Sequence, residues 1–379
     1  MPANRLRALP ALGQSIWLDQ LQRDWLAGGQ LAAWIGEDDL RGVTSNPSIF
    51  EAAIAHSSAY DGPLGELARH GLDAAAIYDQ LTLEDIRAAC DVFQPVYAAT
   101  GGLDGYVSHE VSPNLAYDTP GTIAEAYRLW HAVDRPNVMI KIPATAEGMP
   151  AIRHCLAEGL NINITLMFSL THYDAVAEAY VAALEARAAR GLPLAHVASV
   201  ASFFVSRIDT HVDHVLDARM KSEAQVGSAE AAALAALRGQ AAIANAKRAY
   251  RRFNDVFTSP RFAALAAQGA SPQRVLWAST STKDPAYRDV LYIEELAGAH
   301  TVNTIPLATY EAFRDHGIVA PRLETGLDEA DAVVAALGAM GIDLLAVGEI
   351  LSRQGVDKFK TALKGVLATV EAKRQAVLG

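Results

Sequence analysis

The chain has 379 residues, 51% of them hydrophobic and 20% charged, a globular composition with enough apolar material for a large core. Its 43 acidic against 32 basic residues give a net charge of −11, which argues against nucleic acid or an anionic membrane surface as a partner. Cys90 and Cys155 stand far apart in helical patterns and fit no zinc, haem or redox spacing, so they read as small core residues of a reducing, cytoplasmic setting.

Short apolar runs alternate with long amphipathic stretches along the chain. The first run, 15–19, ends in Asp19 and is followed by Gln-Leu-Gln-Arg-Asp-Trp. An open nucleotide-binding sheet would carry a glycine-rich loop there. The second, 42–46, ends Thr44-Ser45-Asn46, with Pro47 suited to the first turn of a helix. Residues 57–99 read as a helical insertion before a third strand at 105–111, which carries Ser108-His109-Glu110. A helix over 122–133 leads to the fourth strand, 138–144, with Lys141 inside it. Strand five, 160–167, sets Asn161, Asn163 and Thr165 at period two, on one face. A helix over 171–190 precedes strand six, 196–204, with Ser199, Ser202 and Phe204 on it and Arg207 beyond. One helix is expected over 230–253. Strand seven, 274–280, runs into Ser279-Thr280-Ser281-Thr282-Lys283, and Asp284-Pro285 looks like a helix start. Strand eight covers 301–305. From about 309 to 379 the pattern is a helical extension, suited either to packing on the rest of the chain or to a homo-oligomer contact.

Eight strands alternating with helices imply a closed (β/α)8 TIM barrel, with residues 1–379 as one domain. In such a barrel, reactive groups project from the C-terminal ends of the strands, and that is where these polar residues fall. Lys141 is the sharpest of them. Burial disfavours a charged lysine, a cost that is tolerable if a neutral amine is wanted as a nucleophile toward a carbonyl. Each residue also has a plainer reading: Asp19 and Asn46 as helix caps, Glu110 as a partner for Lys141, Asn163 and Thr165 as satisfied barrel positions. It is the set that points to chemistry, because a large buried polar network is costly unless fully connected. Glu110 and Asp19 are the candidates for proton transfer, and Arg207 with Lys283 or Ser279 for an anion. His109 beside Glu110 is too little for a metal site, and none is expected.

Ordered motifs over roughly residues 14–316 resemble the transaldolase family, in the longer bacterial branch. They are Ser15-Ile-Trp-Leu-Asp19, Gly42-Val-Thr-Ser-Asn-Pro-Ser48, Val107-Ser-His-Glu-Val111, Ile140-Lys-Ile-Pro-Ala-Thr145, Gly159 to Phe168, and Ser202-Phe-Phe-Val-Ser-Arg-Ile208. The resemblance implies a cofactor-free enzyme acting on sugar phosphates through a Schiff base on Lys141. It implies Asp19 as the base for the C4 hydroxyl, and Glu110 with a water held by Thr165 for proton transfer around the imine. Asn46, Asn163 and Ser202 would bind the dihydroxyacetone hydroxyls, Phe204 would line the site, and Arg207 and Ser279 would take the phosphate. One position departs from the family pattern: Ser281 stands where many members have an arginine, so Lys283 is expected to substitute.

A sibling enzyme that cleaves fructose 6-phosphate without an acceptor typically has glutamine at the Glu110 position and tyrosine at the Phe204 position. A barrel glycosidase using Asp19 and Glu110 would leave Lys141 without a task. A pyridoxal-phosphate enzyme and a non-catalytic sugar-phosphate binder are the remaining alternatives.

Overall fold

The structure is a computed structural model and describes residues 4–222 and 229–379. Eight parallel strands close into a barrel in sequence order, with β8 pairing back to β1. β1 (Gln14–Leu18) leads through α1 (Arg23–Ala27) and α2 (Gln30–Asp38) to β2 (Gly42–Thr44). α3 (Pro47–His56), α4 (Asp61–Arg69) and α5 (Ala74–Ala99) follow before β3 (Tyr106–Glu110). α6 (Thr119–Val133) joins β3 to β4 (Val138–Pro143), α7 (Gly148–Glu158) leads to β5 (Ile162–Met167), and α8 (Leu170–Ala189) to β6 (Ser199–Phe204). Then come α9 (Ser206–Ser222), α10 (Ala229–Leu237), α11 (Ala241–Phe257) and α12 (Pro260–Ala266) before β7 (Arg274–Ala278). α13 (Leu291–Glu295) precedes β8 (Thr301–Ile305), and α14 (Leu307–His316), α15 (Leu327–Ala339) and α16 (Leu344–Leu378) complete the order. This is the (β/α)8 barrel expected from the alternation.

The strands read as near-continuous apolar runs because helices cover their outer faces and side chains fill the interior. Val138, Ile140 and Ile142 of β4, for example, are wholly buried. Parallel register then fixes the neighbours of the lysine. Lys141 lies beside Glu110 on one side and Asn163 on the other, so the three project at one level of the barrel. At the opposite end of the barrel, Arg274 donates to Ser15 Oγ and Asp104 Oδ1 at 2.7 and 2.9 Å, closing the base with a buried ion pair.

Two expected helices differ. The stretch 230–253 is broken into α10 and α11 at Gly239, whose φ of +68° is left-handed. A Cβ there would stand 2.8 Å from the Tyr287 ring, so both backbone and space require glycine. The apolar pattern runs through the break and hides it. No helix starts at Asp284-Pro285. The Asp284 carboxylate caps a turn through Ala286 N–H and accepts from Arg238 at 2.8 Å, and helix resumes only at Leu291.

The long α16 crosses the C-terminal mouth of the barrel. Asp343 caps its start through Leu345 N–H. Its buried face runs from Leu344 to Val370 at helical spacing, and in its first half Gly348, Ser352 and Gly355 stand among Val347, Leu351 and Val356. The small residues let the helix sit close: a Cβ on Gly355 would meet the Leu166 side chain at 2.6 Å. Leu166 is lifted into that contact by a bulge in β5, where its φ is +60° and the register with β6 shifts. Farther along, Val366 and Val370 join Ile54, Tyr60, Leu64 and Ile77 in a second apolar cluster beside the barrel. Among the described residues no single helix is long and apolar enough to cross a membrane.

Candidate active site

Strand ends and the loops behind them bring the polar residues to one cavity of about 140 Å³ at the barrel mouth. Asp19, Asn46, Lys141, Thr165, Ser202, Phe204, Arg207, Ser279 and Lys283 all line it. Glu110 and Asn163 complete the expected set from just behind the wall.

Lys141 is 4% exposed. Its Nζ lies 3.3 Å from Glu110 Oε2 and donates to the Ser45 carbonyl at 3.3 Å, and it sits 5.7 Å from the centre of the Phe359 ring. Neither Glu110 oxygen accepts a properly aligned hydrogen bond, and Thr165 Oγ1 is likewise buried without a partner among the described residues. Burial pushes the Glu110 carboxyl above the ordinary carboxylate range, against the opposing pull of the Lys141 ammonium, and nearby Asp19 adds to the rise. Asp19 lies one residue beyond β1 and accepts from Thr44 Oγ1 at 2.6 Å. Its carboxyl is also raised by burial, with Lys141, the Thr44 hydrogen bond, Arg207 and Lys283 opposing.

Asn163 is tied on both sides, donating to Ser108 Oγ at 2.9 Å and accepting from Ser202 Oγ at 2.7 Å. This fixes the amide orientation and presents Ser202 to the cavity. Asn46 fills its plainer role as well: its Oδ1 caps α3 through Ile49 N–H, with Pro47 in the first turn. The amide nitrogen of Asn46 makes no hydrogen bond within the protein among the described residues, and the residue lines the cavity. Ser279 is held at a φ of +57°, its hydroxyl 2.9 Å from Ser206 Oγ. Such strain in a serine persists only where surrounding structure enforces it, and here Ser206, at the start of α9, holds both the hydroxyl and, through its N–H, the carbonyl of Ser279.

The cations lie on the far side. Arg207, in the first turn of α9, stacks its guanidinium 5.3 Å from the Phe204 ring centre and has no carboxylate in ion-pair range among the described residues. Desolvation pushes it down, with Asp19 opposing. Lys283 donates to Ser281 Oγ at 2.5 Å. Its amine is pushed down by partial desolvation and then by the like charges of Lys358 and Arg207. Lys358 is pushed down in turn, by desolvation and then Arg207. Three like charges left to repel one another give this side of the cavity a positive potential.

Sequence reasoning missed Phe359 and Lys358. Both come from α16, more than two hundred residues beyond Lys141, and only the helical period signalled that this segment had a face to bury. Of the other polar residues near strand ends, Thr145 turns away to cap α7, His109 faces outward, and Asn161 bonds carbonyls at the barrel base.

The closed (β/α)8 barrel thus gathers at its mouth a buried lysine, two carboxyls raised by burial and, among the described residues, cations with no carboxylate in ion-pair range. The sequence profile of Transaldolase/Fructose-6-phosphate aldolase matches residues 16–370, and the chain belongs to that family. It is 49% identical over 368 residues to a transaldolase of Saccharopolyspora erythraea, covering 97% of each chain. It is 47% identical over 367 residues to one of Thiobacillus denitrificans, with 97% of this chain and 99% of the relative covered. A third relative, named transaldolase 2, from Nostoc sp., is 46% identical over 375 residues and 98% of each chain. The function is that of a transaldolase, a transferase acting on sugar phosphates.

Proposed function

We propose that this enzyme moves a dihydroxyacetone unit from sedoheptulose 7-phosphate to glyceraldehyde 3-phosphate, giving erythrose 4-phosphate and fructose 6-phosphate reversibly. The pathway would be the non-oxidative pentose phosphate pathway, in the cytoplasm, with no metal or cofactor. The observation that carries the mechanism is Lys141 Nζ, buried in the cavity at 3.3 Å from a carboxylate with no other partner among the described residues. A raised Glu110 is a ready acceptor for the lysine proton, and the freed amine attacks the ketose C2 carbonyl. The C–N bond forms, Glu110 returns the proton to the C2 hydroxyl through a water shared with Thr165, the C–O bond breaks, and water leaves an iminium.

Asp19, held by Thr44, takes the proton from the C4 hydroxyl. The C3–C4 bond breaks, its electron pair passes into the iminium, and the aldose departs from an enamine bound to Lys141. Asn46 and Ser202 hold the three-carbon unit by its hydroxyls, with Asn163 aiming Ser202. Phe204 and Phe359 keep the amine dry so that the enamine meets an acceptor aldose before water. Reversal of the same steps adds the acceptor, and hydrolysis frees Lys141. Arg207, Ser279, Lys283 and Lys358 hold the phosphate, two lysine point charges standing where the family commonly has an arginine fork. Glu110 and Phe204 favour this transferase over the acceptor-free cleavage of fructose 6-phosphate.

The test is borohydride reduction in the presence of fructose 6-phosphate, followed by peptide mapping. A three-carbon adduct on Lys141 is expected, and Lys141→Ala should fold, give no adduct and lose transfer activity. An adduct on another lysine, or none in the native enzyme, would overturn the mechanism.

A further inference from the structure

A second, larger cavity of about 290 Å³ opens to solvent beside the active site, on the outer side of β2 and β3 and under α16. Asn46 lines both cavities, and Glu110 lines this one while its Oε2 lies 3.3 Å from Lys141 Nζ. We propose that this side cavity is the passage for the reaction's own water, exchanging it between Glu110 and solvent while sugar fills the barrel mouth. The inference rests on imine chemistry at Lys141.

The imine cycle releases one water and later takes one up, and a passage lets that water exchange with solvent. Forming the imine joins the amine to C2 and expels the C2 oxygen as one water. Releasing the product consumes one water, whose oxygen becomes the new C2 carbonyl. Both events take place with the sugar in the mouth, its phosphate toward Arg207, Lys283 and Lys358 and Phe359 above Lys141. The mouth cavity is half the size of the side cavity and is the part the substrate occupies. Glu110 stands between the two, with both carboxylate oxygens buried and lacking a hydrogen-bond partner among the described residues.

The lining suits water and not sugar phosphate. His109 is 5% exposed, faces the side cavity and makes no hydrogen bond among the described residues, its one ring contact being edge-on to Phe50. Burial pushes its imidazole down to about 4, so it offers a neutral donor and acceptor. The Tyr78 phenol also lines the cavity and is held up by burial and by the Glu110 charge, which places that carboxylate within electrical reach. Asp79 and Glu125 share the single guanidinium of Arg128, leaving the rim net negative and unfavourable to phosphate. The other walls mix apolar side chains, Phe50, Leu129, Leu363 and Leu367, with the small uncharged polar groups of Thr82, Ser112 and Asn114, which can hydrogen-bond water but carry no charge for a phosphate.

The experiment follows the oxygen. Fructose 6-phosphate labelled with 18O at C2 is converted with erythrose 4-phosphate, and the sedoheptulose 7-phosphate formed is quenched early and weighed by mass spectrometry. The native enzyme should return product in which the label is lost, because the expelled water mixes with solvent. Ala75→Trp, at an exposed lining position in the first turn of α5, and independently Leu367→Trp on α16, should fill the passage. Each should lower kcat several-fold, leave the KM for sugar phosphate unchanged, and raise the retained label to a measurable fraction. Ala75→Ser, which fills nothing, should behave as native. Complete loss of label with unchanged kcat in both folded tryptophan variants would overturn the proposal, as would retained label in the native enzyme. All variants are first shown to form the borohydride adduct, so a failure at Lys141 is read separately from a failure of the passage.

Discussion

The barrel buries a cation and a carboxylate at each end, and the two pairs are built to opposite rules. At the base, Asp104 Oδ2 accepts from Ser15 at 2.8 Å and Arg41 at 3.4 Å, and Oδ1 from Arg274 at 2.9 Å. Arg274 also donates to Ser15 Oγ and, at 2.6 Å, to the Leu103 carbonyl. At the mouth, Lys141 and Glu110 are as deeply buried, yet among the described residues both carboxylate oxygens lack an aligned partner and the cations beyond them have no carboxylate in ion-pair range. Buried charge alone therefore does not mark a reactive site, since a closed network locks a structure. The mark is charge that the protein buries and then leaves incompletely satisfied.

Breaking the base should be the larger blow to stability. Asp104→Ala strands the Arg274 guanidinium and should cost about 3–5 kcal/mol in chemical denaturation. Activity per folded molecule should hold, since nothing at the mouth moves. If Asp104→Ala kept full stability and lost activity, the two ends would have exchanged roles.

Glu110→Gln should do the reverse. Without a titrating carboxyl, imine formation and hydrolysis should slow by about 10²-fold. The stability effect has a definite sign. Glu110 is pushed up by burial, so the folded state keeps this proton to higher pH than the unfolded chain does. That contribution is complete below the ordinary carboxyl value of 4.5 and is lost as pH rises through the folded value. Glutamine cannot ionise, so the variant should melt higher than the native enzyme at pH 8 and show no such gain at pH 4. Calorimetry at the two pH values decides it, and a lower melting temperature at pH 8 would mean that the carboxylate is structural.

This division also explains what the sequence revealed. The barrel was legible because buried parallel strands must be apolar runs separated by amphipathic helices. The period-two placement of Asn163 and Thr165 put them on one face of strand five, and the register of β4 with β5 sets that face beside Lys141. The satisfied base was not legible, since Ser15, Asp104 and Arg274 meet only once the barrel closes. The break at Gly239 was hidden for a different reason: apolar residues continue on both sides, and only the position of Tyr287 shows why a turn is needed. Phe359 and Lys358 were invisible as site residues because helical periodicity tells which face is buried, never against what.

Lys358 gives the smallest expected effect and the finest test of an unsatisfied mouth. It is exposed, so its attraction for a phosphate is screened and should be worth about 0.2–1 kcal/mol, or roughly 1.5- to 5-fold in KM. Lys358→Ala should raise KM for fructose 6-phosphate by that factor and leave kcat unchanged. Lys283→Ala should do somewhat more, because Lys283 lines the cavity itself. Both effects should shrink at high ionic strength, and both should vanish with unphosphorylated fructose, which has no charge for the cluster to hold. A KM for the phosphate that is indifferent to Lys358 would reduce α16 to the roof that Phe359 provides. A change with unphosphorylated fructose as well would mean that the helix had shifted, because charge removed from a solvent-facing amine cannot otherwise reach the far end of the sugar.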